Sequence, residues 1–289
     1  MKERCVPGEE WFLEDSTILG EPESTVWGML VERKVFSGRS RFQQVDIFDT
    51  REYGRVLALD GLVQLSTRHE SVYHEMLVHP ALFHAPDPKK ALIIGGGDGG
   101  ALRELVKHPL QEILLVDIDE EVVKLSRRFL PSLSNGAFDD RRVTLVHADA
   151  FPLLRKHKNS FDIIISDCTD SYGPSKALWS KKFYGFILQA LSAKGVAGFQ
   201  TGYFKERYAR KGRRQIREVF PFSLVYRAHV GCFPFDECAF TIASKNVDFR
   251  KLGLRSLEMK FRKSDIQTRY YSPEMHFAST VIPESFGEG

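Results

Sequence analysis

The stretch 91-ALIIGGGDGGALRELVKH-108 decides the fold. ALIIGG is an apolar run of strand length, ALRELVKH has helical spacing, and the turn 95-GGGDGG-100 joins them. Glycines let a backbone approach a ligand, and the helix N-terminus behind them favours an electron-rich group. Outward from here the alternation continues. EILLVD (112–117) is a strand and DEEVVKLSRRFL (119–130) a helix; RVTLVHA, FDIIIS, VAGFQ and SLVYRA add strands. KKFYGFILQAL and a basic helix over about 206–219 lie between the later strands. ECAFTIAS (237–244) closes as a seventh strand, near enough to its predecessor to pair antiparallel. Such alternation predicts an α/β chain with a parallel sheet and helices on both faces. The antiparallel last hairpin makes it a methyltransferase-like Rossmann fold with a seven-stranded, mostly parallel sheet.

Upstream the pattern is different. MLVERKVFSG, RFQQVDIFDT and GRVLALDGLVQLST alternate apolar and polar residues and break at Gly38, Gly54 and Asp60-Gly61, which reads as a small β domain. A helix is expected over 70–84, followed by the exposed joint PDPKK. The division expected is a β-strand domain over 1–70 and a Rossmann-like catalytic domain over 71–289.

The 289 residues are 43% hydrophobic and 27% charged with a net charge of +3, too small to argue for nucleic acid or a membrane surface. The opening MKERCVPGEE has no apolar run, which predicts no secretory leader. No segment approaches the ~18 apolar residues of a membrane-spanning helix. Four scattered cysteines without a CxxC pair argue against structural zinc and suit a reducing cytoplasm.

Acidic residues gather at the strand ends. Asp98 sits inside the glycine turn, where it would repel a dinucleotide pyrophosphate and welcome a cation. Asp117 ends the second strand, where a carboxylate can accept both hydroxyls of a ribose. Asp149 could accept from an adenine amino group while the Ala150 amide meets a ring nitrogen; an N-cap role fits Asp149 equally well. Asp167 and Asp170 follow the buried run FDIIIS, a costly place to desolvate two carboxylates.

Taken with their order, GGGDGG, VDID at 116–119, HADA at 147–150 and DCTDSYGP at 167–174 resemble the spermidine synthases, the polyamine aminopropyltransferases. LDGLVQLS at 59–66, YHEM at 73–76 and TRYYSPEMHFAS at 268–279 extend the resemblance over about 11–283. The resemblance implies transfer of an aminopropyl group from decarboxylated S-adenosylmethionine to a primary amine, with no metal and no cofactor. It makes Asp167 the general base and Asp170 the residue holding the amine in line. On the donor side it implies Gln43, Gly95, Gly97, Asp98, Asp117, Asp149, Ala150 and Pro174. On the amine side it implies Gln64, Tyr73, His74, Asp98, Asp170 and Phe233, with Asp236 lining the outer pocket. It also implies a homodimer or homotetramer.

Departures from the family pattern bear on the acceptor. Gly202 replaces a frequent Glu, which should leave more room and less charge; Phe233 falls where Tyr is common; 233-FPFDE-237 brings Asp236 and Glu237 to the segment lining the outer pocket, where strand alternation lets one or the other face inward. Putrescine is the expected acceptor, with agmatine or spermidine next, as in a thermospermine synthase. The rivals are a methyltransferase and a polyamine- or nucleoside-binding protein without turnover. The run KERYARKGRRQIR (205–217) is read as a solvated helix face rather than a nucleic-acid surface.

Overall fold

The computed structural model describes residues 10–14, 27–233 and 237–286, the side chains of Pro174 and Ser285 excepted. The GGGDGG stretch does join a strand to a helix: β7 (Lys90–Gly95) leads into α2 (Gly100–Val106). The other strands of the main sheet are β8 (Glu112–Asp117), β9 (Val143–His147), β10 (Phe161–Asp167), β11 (Leu191–Tyr203), β12 (Phe222–Ala228) and β13 (Cys238–Ser244). Their order is β12-β13-β11-β10-β7-β8-β9, seven strands in all. All run parallel except β13, which inserts between β11 and β12 and is antiparallel to both. This is the expected methyltransferase-like arrangement. Ile163, Ile164 and Ile165 of β10 are wholly buried, as a central strand covered on both faces requires.

The helices α3 (Glu120–Phe129), α5 (Ala150–Lys156), α6 (Lys181–Ala190) and α7 (Arg207–Val219) follow their strands, with a short α4 (Pro131–Ser134) after α3. Helix α1 (Glu70–His84) lies where the sequence placed it and is buried along almost its whole length. It packs on β11, where a Cβ at Gly198 would stand 2.9 Å from the Leu77 carbonyl oxygen. Two helices that the sequence reading left out, α8 (Leu254–Ser264) and α9 (Pro273–Ser279), pack beside it.

Upstream, β3 (Arg33–Arg39), β4 (Gln44–Thr50), β5 (Gly54–Leu59) and β6 (Leu62–Ser66) form an antiparallel meander. Val45, Ile47, Leu57, Leu59 and Leu65 turn one face of it onto Val122 and Leu125 of α3. The sequence read MLVERKVFSG as one strand. It is broken at Val31-Glu32, and β2 (Trp27–Leu30) pairs instead with β1 (Trp11–Glu14) in a separate hairpin. No helix among the described residues is long and apolar enough to cross a membrane.

Candidate active site

Two cavities meet at the carboxyl ends of β7 and β10. The larger, about 250 Å³, lies between the sheet edge and β5 of the upstream meander. The smaller, about 50 Å³, runs toward β11 and β13. Gln64, Tyr73, Cys168 and Thr169 line both. Asp167 stands at this junction, on the wall of the larger cavity.

The glycine turn is shaped by what stands against it. Gly95 (φ +79°) lies so close to β10 that a Cβ would be 2.2 Å from the Asp167 carbonyl oxygen. At Gly100 a Cβ would fall 2.2 Å from the ring of His74. The turn therefore brings Asp98, Asp167 and His74 together. Asp98 Oδ1 accepts from the Gly100 amide at 2.6 Å and faces His74 Nε2 at 3.2 Å. His74 Nδ1 meets Glu70 Oε2 at 2.8 Å, one helical turn back, and Arg103 forks onto both Glu70 oxygens at 3.0 and 2.8 Å.

These contacts set the charges. Burial opposes ionisation of His74, yet Asp98 and Glu70 outweigh it and lift its pKa to about 10. Burial would raise Asp98, but the His74 imidazolium and the Gly100 amide bring it below the usual carboxylate range. Asp167 is different. Its Oδ1 accepts from the Tyr73 hydroxyl at 2.7 Å, but Oδ2 is buried with no hydrogen-bond partner among the described residues. Burial, reinforced by the negative Asp98, pushes its pKa up to about 7. A carboxyl group poised near neutrality with one oxygen unused is suited to take a proton.

The larger cavity gathers most of the expected donor-side residues: Gln43, Gly95, Gly97, Asp98, Asp117 and Asp149-Ala150. Burial raises Asp117 to about 6, and its Oδ1 accepts from the Asp119 amide at 2.8 Å. Gln43 is held from a direction the sequence did not show: its amide donates to Asp119 Oδ2 at 2.9 Å, and Ser40 donates to the same oxygen at 2.6 Å. Asp149 caps α5, its Oδ1 accepting from the Phe151 amide at 2.8 Å, and it also lines the cavity. Pro174 lies on the short 3-10 helix Gly173–Trp179, whose Ser175, Ala177 and Leu178 face the cavity; its own side chain is outside the described set.

The smaller cavity collects Gln64, Tyr73, Asp170, Gly202 and Phe233. Burial raises Asp170, against the neighbouring Tyr208 and Gln200. Phe233 packs edge-on against Tyr73 and Tyr203, at ring separations of 6.4 and 5.9 Å. Asp236 lies outside the described residues. Glu237 forms an ion pair with Arg227 and is not in the lining of this cavity.

Two expectations need correction. Gly202 does not leave open space: at φ +66° a Cβ there would meet Ala209 Cβ at 2.9 Å and the Tyr208 hydroxyl at 3.0 Å. The basic run is not wholly a solvated face either. Arg213 is completely buried, donating to the carbonyls of Thr201 (3.0 Å) and Phe204 (2.7 Å) with its guanidinium over the Phe204 ring. Those carbonyls lie at and just beyond the end of β11.

Sequence reasoning also missed three charged residues that stand behind the site. Glu70 and Arg103 hold His74; the four-residue spacing of Glu70 and His74 on one helix was the available signal. Glu14 comes from the β1 hairpin, accepts from the Val63 amide at 3.0 Å, and is raised to about 7 by burial with Asp170 nearby. No local pattern announced it. His74, Asp98 and Asp167 each offer a ligand atom, all within 4.8 Å of one another, a spacing that would also suit a metal ion. While His74 is an imidazolium with a carboxylate on each nitrogen it has no lone pair to give. An ammonium needs only the carboxylates.

A methyltransferase-like sheet whose glycine turn and strand ends build two joined acidic cavities defines the class as a Rossmann-type ligand-binding fold. Residues 70–251 match the spermine/spermidine synthase domain, and residues 10–67 match the spermidine synthase tetramerisation domain. The polyamine aminopropyltransferase of Thermoanaerobacter sp. (strain X514) is 36% identical over 96% of this chain and 96% of its own. That of Bacillus subtilis is 38% identical over 89% and 91%. The crystal structure of a spermidine synthase in complex with the transition-state analogue AdoDATO superposes with a TM-score of 0.90 at 35% identity, covering 99% of this chain and 97% of the other. The chain belongs to the spermine/spermidine synthase family.

Proposed function

We propose that this chain transfers the aminopropyl group of decarboxylated S-adenosylmethionine to putrescine, giving spermidine and methylthioadenosine. The observation that carries this is Asp167: a buried acid with a raised pKa and a free oxygen, where a nucleoside-sized cavity meets a narrow acidic one. The donor's adenosine would lie in the larger cavity between Asp117 and Asp149-Ala150, and its aminopropyl ammonium beside Asp98. The acceptor's primary amine would enter from the smaller cavity beside Asp170. An ammonium, with a pKa near ~10, cannot attack until it loses a proton. Asp167 takes that proton, the nitrogen bonds to the carbon next to the sulfonium, and the sulfur leaves as a neutral thioether. Asp98 is held ionised by His74, so that Asp167 is left as the group that changes protonation. Its charge also favours the decarboxylated donor over S-adenosylmethionine, whose carboxylate it would repel.

The activated donor supplies the driving force, so the reaction calls for no cofactor and no metal. We place the enzyme in the cytoplasm, as a homodimer or homotetramer built through the 10–67 segment, and divide it at about residue 70 into oligomerising and catalytic parts. A second reading, a longer acceptor such as agmatine or spermidine, is favoured by Glu14, a further carboxylate near Asp170. The test is a product assay with decarboxylated S-adenosylmethionine and a panel of amines. Spermidine from putrescine is expected; methylated products from S-adenosylmethionine, or no transfer to any amine, would overturn the reading.

A further inference from the structure

The hydroxyl of Tyr208 is buried and makes no well-formed hydrogen bond among the described residues, although the carboxylates of Asp170 and Glu206 lie beside it. It stands 3.0 Å from the point where a Cβ of residue 202 would begin, so Tyr208 fills the volume that a side chain there would take. Gly202 makes this possible twice over: its φ of +66° disfavours any other residue, and its missing Cβ admits the ring. The ring is fixed from behind by Trp179, edge-on at 5.0 Å, which belongs to the 3-10 segment that follows Asp170. Asp170 and Glu206 both lie close enough to the hydroxyl to act on it electrostatically. Asp170 and Gly202 line the smaller cavity.

We propose that Tyr208 is a specificity-determining residue for the acceptor amine. It closes the smaller cavity behind Gly202, and its hydroxyl, turned toward Asp170, completes the polar end that receives a short diamine. The inference rests on the aminopropyl-transfer reading and deepens it. It also reverses the expectation that glycine at 202 lengthens the pocket: the room made by the glycine is taken by a tyrosine from the next helix.

Two variants of the full chain test this, each with donor affinity measured by calorimetry and acceptor kinetics measured on putrescine and spermidine. Tyr208→Phe keeps the ring against Trp179 and removes only the hydroxyl. It should raise the putrescine KM about 5- to 10-fold, the size of one neutral hydrogen bond, with kcat and donor Kd within twofold of the parent. Tyr208→Ala should open the cavity and raise the spermidine-to-putrescine ratio of kcat/KM by at least ~10-fold. Tyr208→Phe with an unchanged putrescine KM, or Tyr208→Ala with an unchanged acceptor ratio and intact donor binding, would overturn the proposal. A parent enzyme that binds the donor but transfers to no amine would instead overturn the functional reading on which it rests.

Discussion

Arg103 joins two clusters of buried charge that are finished differently. On one side, Glu104 is wholly buried, yet both its oxygens are used: Oε1 by Arg103 at 2.7 Å, Oε2 by His79 at 2.9 Å and Lys107 at 2.6 Å. His79 in turn shares a hydrogen bond with His108 at 2.9 Å. Burial works to raise Glu104, but these partners hold it well below the usual range. On the other side, the chain of contacts from Arg103 through Glu70, His74 and Asp98 ends at Asp167, whose Oδ2 has no partner among the described residues and whose pKa is raised. The Glu104 carboxylate and the Asp167 Oδ2 are both out of solvent; what differs is satisfaction. A buried acid whose partners are complete holds the structure together, and the one left incomplete beside a cavity is the one proposed for the chemistry.

The comparison can be broken by five measurements. Asp167→Asn should lower turnover by ~10²–10⁴, the contribution of a positioned base, with donor affinity little changed. Near-parental turnover would remove Asp167 from the chemistry and with it the distinction drawn here. Glu104→Ala should do the opposite: about 3–5 kcal/mol lost in urea unfolding, because a buried ion pair with Arg103 is broken and the buried His79 loses its partner, with unaltered kcat among molecules that remain folded. A variant of normal stability and reduced kcat would place Glu104 in the site.

The third measurement uses pH. Asp167 binds its proton more tightly in the folded state (pKa about 7) than in the unfolded one, so ionising it works against folding. Its stabilising proton is present at pH 4 and lost as pH rises toward 7, with the penalty constant above that. Asp167→Asn should therefore match the parent in stability at pH 4 and exceed it at pH 8 by on the order of 1–3 kcal/mol, allowing for partial solvent relaxation. Equal stability at both values would show that the carboxylate is not strained by its surroundings. The same raised pKa predicts that kcat/KM climbs through pH ~7. The smallest effect is at His74. Its pKa of about 10 predicts an imidazolium still protonated at pH 8, visible in nitrogen NMR shifts. A neutral ring there would mean that Asp98 and Glu70 do not control it.

The two clusters were also unequally legible. Asp98, Asp167 and His74 lie inside short motifs, GGGDGG, DCTD and YHEM, so their meeting could be anticipated from strand ends and one helix. The alternation of strand and helix likewise placed the main sheet and α1, because burial on both faces leaves a strong apolar signal. What could not be read were contacts made by long side chains across large separations. Arg103 and Arg213 look like ordinary surface cations in a charged run, yet one forks onto Glu70, 33 residues away, and the other is sealed under β11. Glu14 reaches Val63 over 49 residues, from a four-residue strand too short to show a period. Gly202 shows the limit most clearly. The absence of a side chain was legible, but what moved into the gap was not.

The position of β13 has a consequence for how the molecule is made. Leu191–Tyr203 and Phe222–Ala228 are synthesised first, but neither can pair with the other, because Cys238–Ser244 belongs between them. Until that segment leaves the ribosome, β11 and β12 each present an unpaired hydrogen-bonding edge, and the sheet can close only by inserting a strand rather than by adding one at its rim. Exposed strand edges recruit other chains. A chain released before residue 244 would therefore carry two open strand edges of the kind that recruit other chains.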